Sequence, residues 1–142
     1  MNRYADLKRR QQQEFDAFPM QFAFSNRQFA EAMAALGLKP TDTDKVYRAP
    51  GGGIYRREDG PRLKAMMDRF DRELQEAIAA DQTGDSFIYE MFLYELANHE
   101  YGCTMDTEDT LDALGYTADE VLGDPRLKRG IEKAVTEICG RD

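Results

Sequence analysis

The chain has no tryptophan, one histidine and two cysteines among its 142 residues, and these scarcities close off several chemistries. With His99 as the sole histidine, and with Cys103 and Cys139 forming no CxxC pair, no recognisable zinc site can be assembled. The same shortage leaves no serine–histidine or cysteine–histidine nucleophile arrangement in view. Spacing alone permits a disulfide between the two cysteines, while in a cytosolic protein two reduced, mostly structural thiols are the expectation. No apolar run approaches the ~20 residues that a membrane helix needs. Residues 1–13 are charged and glutamine-rich, with no apolar signal-peptide core behind them. The expected setting is therefore the cytoplasm, with no membrane, metal or cofactor. No stretch is rich enough in Gly, Ser or Pro to act as a linker, so a single domain over residues 1–142 is expected.

One further absence is local. Residues 73–124 contain no Lys or Arg but hold 14 Asp and Glu, whereas residues 1–72 hold 14 basic and 10 acidic residues. A one-sign stretch of this length creates a field that attracts cations or a basic partner. Its candidate partner-binding residues are Glu73, Glu76, Asp81, Asp85, Asp106, Glu108, Asp109 and Asp112. The competing reading is solubility, together with acids placed at helix N-termini. The whole-chain charge of −8 argues against direct binding of nucleic acid.

What is present predicts an α+β chain that is mostly α. About six or seven helices surround a central apolar helix at 86–101, with one β-hairpin near 45–57. Residues 1–16 read as a first helix with Tyr4, Leu7 and Phe15 as sparse apolar points, ended by Pro19. Five of the eight phenylalanines fall between Phe15 and Phe29, as the seal of a small core or as an exposed partner surface. Ser25 and Gln28 predict a capping box, and Gly37 a C-terminal cap, around a helix carrying Phe29, Met33 and Leu36. KVYRAPGGGIYRR predicts the hairpin, with Val46, Tyr47, Ile54 and Tyr55 in its strands. Pro61 opens a long helix whose Leu63, Met67, Phe70, Leu74 and Ala77 form one stripe, with Lys64/Asp68, Arg69/Glu73 and Arg72/Glu76 as i,i+4 pairs. After Tyr101 three shorter helices follow: one from 106 or 107 to 114, one capped by Thr117 with Glu120, and one from Asp124-Pro125 to Ile138. ALGLKPTD at 35–42 and ALGYTADE at 113–120 both read as a helix, a Gly stop and a capped restart.

Glu95 and His99 are the strongest candidates for chemistry. They project on the same apolar side of the central helix as Ile88, Met91 and Phe92, with Asn98 close by. A buried carboxylate and an imidazole one turn apart form either a hydrogen-bonded core network or a general acid–base pair. As half of a metal site they would need further ligands, such as Asp106, Glu108 or Asp109. DTEDTLD at 106–112 lacks the glycine at position six and the glutamate at position twelve of a calcium loop. PGGG is followed by strand residues rather than a helix, which favours a hairpin over a phosphate loop. Arg56 and Arg57 after it are candidates for a salt-bridging or anion-binding face.

Four stretches, FPMQFAFSNRQFAEAMAALGL, DTDKVYRAPGGGIYRRED, YELANHEY and TLDALGYTADEVLGDPRLK, are spread over residues 18–128. Together they resemble a family of small uncharacterised proteins carried by phages and mobile elements and by chromosomes of gut Firmicutes. The resemblance implies no activity and no catalytic residue. It implies a genomic setting in which a regulatory or counter-defence role is expected. Three readings follow. The first is a non-enzymatic protein whose acids occupy the basic cleft of a nucleic-acid enzyme, in the manner of an anti-CRISPR or antirestriction inhibitor. The second is a small enzyme or ligand-binding domain centred on Glu95, Asn98 and His99. The third is a structural accessory protein, or a homodimer joined through its N-terminal aromatics.

Overall fold

The computed structural model describes residues 1–99, 101 and 105–140. Among them are seven α-helices and a small antiparallel sheet: α1 (Arg3–Asp16), β1 (Gln21–Phe22), α2 (Asn26–Ala35), β2 (Val46–Ala49), β3 (Gly53–Arg56), α3 (Gly60–Ala80), α4 (Phe87–Asn98), α5 (Glu108–Leu114), α6 (Ala118–Gly123) and α7 (Pro125–Cys139). The expected class, α+β and mostly α, is what is found. The chain forms two compact units, one of Met1–Arg10 with Glu73–Asp142 and one of Gln11–Arg72. The chain passes between them inside α1 and again inside α3.

In the second unit α2 lies beside a three-stranded sheet of order β1-β3-β2. Tyr47 pairs with Tyr55 and Ala49 with Gly53, which leaves Pro50, Gly51 and Gly52 as the bend. Both bend glycines have positive φ, a region that glycine enters without steric cost. Ala32, Met33, Leu36, Val46 and Ile54 form the core. The hairpin is as expected, but β1 adds a third strand. Gln21 pairs with Ile54 and Phe22 with Gly53. A two-residue strand carries no alternating pattern of its own, so only its pairing reveals it.

The cap of α2 departs in one detail from the expected box. Ser25 Oγ accepts from the Gln28 N–H, but the Gln28 side chain accepts from the Phe24 N–H, one residue earlier than a closed box requires. At the other end Leu38 N–H donates to Met33 C=O, and Gly37 N–H to Ala34 C=O. The same pair of bonds recurs at the second Ala-Leu-Gly, from Tyr116 to Leu111 and from Gly115 to Asp112. Both glycines have φ of 77°. The two segments thus share one helix-stop geometry, but they restart differently. Thr117 and Glu120 close a full capping box on α6, whereas the first copy leads into the short 3-10 turn Thr43–Lys45, with no side-chain cap.

In the first unit α4 is the core helix. Ile88, Met91, Phe92 and Leu96 are fully buried, and Tyr4, Leu7, Leu111, Val121, Leu127 and Ala134 pack in the same cluster. α4 packs mainly on α7, and glycine sets how closely. A Cβ on Gly130 would lie 2.5 Å from Ile88 Cγ2, and one on Gly84 would lie 2.0 Å from the Arg126 carbonyl oxygen. The expected stripe of α3 is only partly realised. Leu63, Phe70, Leu74 and Ala77 are half-buried, Met67 is 47% exposed, and Ile78 is the buried residue. The helix is shared between two units, so no single core covers that face from end to end. Lys64 and Asp68 pair at 2.7 Å, while Arg69 pairs with Glu14 of α1.

Candidate functional site

Glu95 sits on the buried face of α4 at 5% exposure, and a carboxylate so placed must find donors. The Tyr4 hydroxyl, from α1, donates to its Oε1 at 2.6 Å. His99, at the end of α4, places Nε2 3.4 Å from Oε2. The Thr110 hydroxyl, from α5, donates to the Glu95 backbone carbonyl at 3.3 Å. Burial pushes the Tyr4 hydroxyl far above its ordinary titration range, and the hydrogen bond to Glu95 and the charge of Glu95 push it further. Tyr4 is therefore a permanent donor. Asn98 is exposed and stands apart from this network.

The geometry joins α1 to α4 through the Glu95 carboxylate and α5 to α4 through the Glu95 backbone carbonyl. Each oxygen of Glu95 faces a protein group, and the half-buried His99 is the outermost of the three side chains. Tyr4 escapes a reading from sequence because its partner lies 91 positions away. The single available signal is that a buried glutamate demands a donor, and many residues could supply one. Among the described residues no three His, Cys, Asp or Glu side chains converge as metal ligands, so Asp106, Glu108 and Asp109 do not join Glu95 and His99 in a cluster. Cys139 is a free, exposed thiol, and Cys103 lies outside the described residues.

The fold divides the acidic stretch into two sets. One set is consumed in structure. Asp81 is 5% exposed and accepts from the backbone N–H groups of Thr83, Gly84, Ser86 and Ile88, so it is turned inward and does not belong to an exposed partner face. Burial alone would raise its pKa, but these N–H groups together hold it below the usual carboxylate range. Asp85 pairs with Arg129 at 2.6 Å and Glu90 with Arg3 at 3.1 Å. Asp124 caps α7 and pairs with Arg126, whose side-chain hydrogen bond holds its carboxyl below the usual range. Glu120 belongs to the capping box of α6.

The other set is free. Among the described residues Glu76, Glu108, Asp109, Asp112 and Asp119 are exposed and make no ion pair. Four of these five lie on α5 and α6, with Asp112 on the same side of α5 as Glu108 and Asp109 by their spacings of four and three. Met105 and Leu122, in the same part of the chain, are 62% and 64% exposed. Asp106, just before α5, accepts from the Glu108 N–H, and Glu73 is half-buried on α3. The two arginines at the end of the hairpin are engaged. Arg56 pairs with Asp59 at 3.0 Å and Glu58 at 3.5 Å. Arg57 donates to the Val46 carbonyl at 3.1 Å and lies over the Tyr47 ring.

The profile of a family of unknown function (DUF7659) matches residues 3–137. The chain belongs to this family. No curated protein gives a match, and neither does a solved structure. Among the described residues no helix is long and apolar enough to cross a membrane.

Proposed function

We propose that this member of the family is a non-enzymatic binding protein that docks on a basic protein partner through the exposed acids of α5 and α6. The observation that carries the reading is the division of the acidic stretch. Once the acids used for caps and ion pairs are set aside, Glu108, Asp109, Asp112 and Asp119 remain exposed within twelve residues and, among the described residues, unpaired. Unpaired like charges held close together repel one another, and a basic partner relieves that repulsion. The exposed Leu122 and Met105 add apolar surface, which an acidic row meant only for solubility does not need. The partner class that best fits is a nucleic-acid-binding protein, whose cleft is built for a row of negative charges. An inhibitor of host defence, of the anti-CRISPR or antirestriction kind, is the narrower form of this proposal.

The test is an affinity pull-down from host lysate, eluted by stepped salt. It is run in parallel with a variant carrying Glu108→Gln, Asp109→Asn, Asp112→Asn and Asp119→Asn. The expected result is a basic protein that elutes at moderate salt and is not retained by the variant. Retention that survives high salt, or that the variant leaves unchanged, would overturn the proposal.

A further inference from the structure

The aromatic stretch and the Gly-Gly-Gly hairpin, both conspicuous in sequence, meet in the second unit. Of the phenylalanines there, Phe18 is buried, but Phe22 and Phe24 are 54% and 76% exposed. Scattered exposed apolar residues are ordinary, but two rings held over one hairpin make a patch. A Cβ on Gly52 would lie 2.7 Å from Phe24 Cε1, and one on Gly53 would lie 3.5 Å from Phe22 Cε1. The bare Gly52 backbone is therefore what lets the Phe24 ring lie against the hairpin, whereas the Phe22 ring sits at ordinary contact distance from Gly53. Phe24 is also held from the chain side, because its N–H donates to Gln28 Oε1 at 2.7 Å.

Beside the rings is a cleft of about 470 Å³, open to solvent and lined by Phe24, Phe29, Ala49 and Ile54 together with Arg48. The Arg48 guanidinium lies 5.2 Å from the centroid of the Phe29 ring. Among the described residues it has no carboxylate partner. Apolar side chains and one uncompensated cation thus share a single cleft, whose rim also carries the polar Ser25 and Asn26. The complementary chemistry is an apolar side chain with a carboxylate next to it. The open cleft takes in the exposed Phe24 ring, which fits a chain lying across the surface, whereas small-molecule sites enclose most of their ligand. We infer that this cleft and the Phe22–Phe24 pad bind a peptide segment of a partner protein that presents an apolar side chain beside an Asp or Glu. The inference is independent of the acidic docking surface, which lies on other residues of the other unit.

The test uses the full chain and three fluorescein-labelled synthetic peptides of equal length, alternating Leu with Glu, Leu with Lys, and Ser with Glu. Binding is read by fluorescence polarisation. The protein carries a net charge of −8, so a Leu–Glu peptide must bind against the overall field, and its binding reports a local site. The expected result is that the Leu–Glu peptide binds and the Ser–Glu peptide does not. Phe24→Ala and Arg48→Glu, both at exposed positions, should each weaken the Leu–Glu complex by about tenfold or more. Circular dichroism confirms that both variants fold. The Leu–Lys peptide serves as the control for the acidic surface, and its binding should not respond to Phe24→Ala. Failure of the Leu–Glu peptide to bind, or binding that neither substitution weakens, would overturn the inference. Concentration-dependent self-association that Phe24→Ala abolishes, without peptide binding, would overturn it in favour of a second copy of this chain.

Discussion

Asp81 is the residue whose removal the structure prices most clearly. Ser86 precedes α4 but makes no side-chain cap, so the helix start depends on a carboxylate five residues upstream. Oδ1 accepts from Gly84 N–H at 2.9 Å and Thr83 N–H at 3.2 Å, while Oδ2 accepts from Ser86 and Ile88 N–H, each at 3.0 Å. In Asp81→Ala the exposed Thr83 and Ser86 can turn to water. The buried Gly84 and Ile88 cannot, and each orphaned N–H costs about 1–3 kcal/mol. Loss of negative charge at the helix N-terminus adds about 0.5 kcal/mol. A destabilisation of about 2.5–6.5 kcal/mol is expected, a large fraction of the roughly 5–15 kcal/mol that holds a domain together. Asp81→Asn keeps one acceptor oxygen and should cost about half as much.

Urea denaturation at neutral pH measures both variants against wild type, and repeating it in acid checks the charge. The folded pKa of Asp81 lies below its unfolded value. The stability it confers is therefore fully present above the ordinary carboxylate pKa of about 3.9 and is lost as pH falls through the folded value. The gap between wild type and Asp81→Asn should accordingly narrow below about pH 4. An alanine variant within about 1 kcal/mol of wild type, or an asparagine variant as costly as alanine, would refute the reasoning.

Two further outcomes are expected. Gly130→Ala should destabilise by about 1–3 kcal/mol despite the better helix propensity of alanine, because the new methyl meets Ile88 Cγ2 at 2.5 Å; a thermal melt at or above the wild-type temperature would show that α4 and α7 can separate at no cost. Tyr4→Phe removes the hydroxyl that donates to buried Glu95 and should cost about 1–3 kcal/mol, and pairing it with Glu95→Gln should cost less than the sum of the single changes, which a double-mutant cycle in urea would show.

The elements legible in sequence are those whose cause is local. The stop at Gly37 and the stop at Gly115 follow from a residue that tolerates positive φ, and the box of Thr117 and Glu120 from side chains three residues apart. α4 announces itself by its apolar density, and the hairpin by glycines between β-prone runs. Strand β1 was not legible, since two residues acquire their identity only by pairing with Ile54 and Gly53. The candidate site was half legible. That Glu95 and His99 share a side of one helix follows from helical spacing, whereas Tyr4 is brought to Glu95 by packing between distant helices. The run of acids was plain in the sequence, but tertiary structure decided which of them are free. Asp81, Asp85 and Glu90 are bound by backbone N–H groups, Arg129 and Arg3, while Glu108, Asp109, Asp112 and Asp119 have no such neighbours among the described residues. Charge is a property of composition, but its availability depends on which groups the fold brings within a few ångströms, and that is set by contacts far apart in the chain.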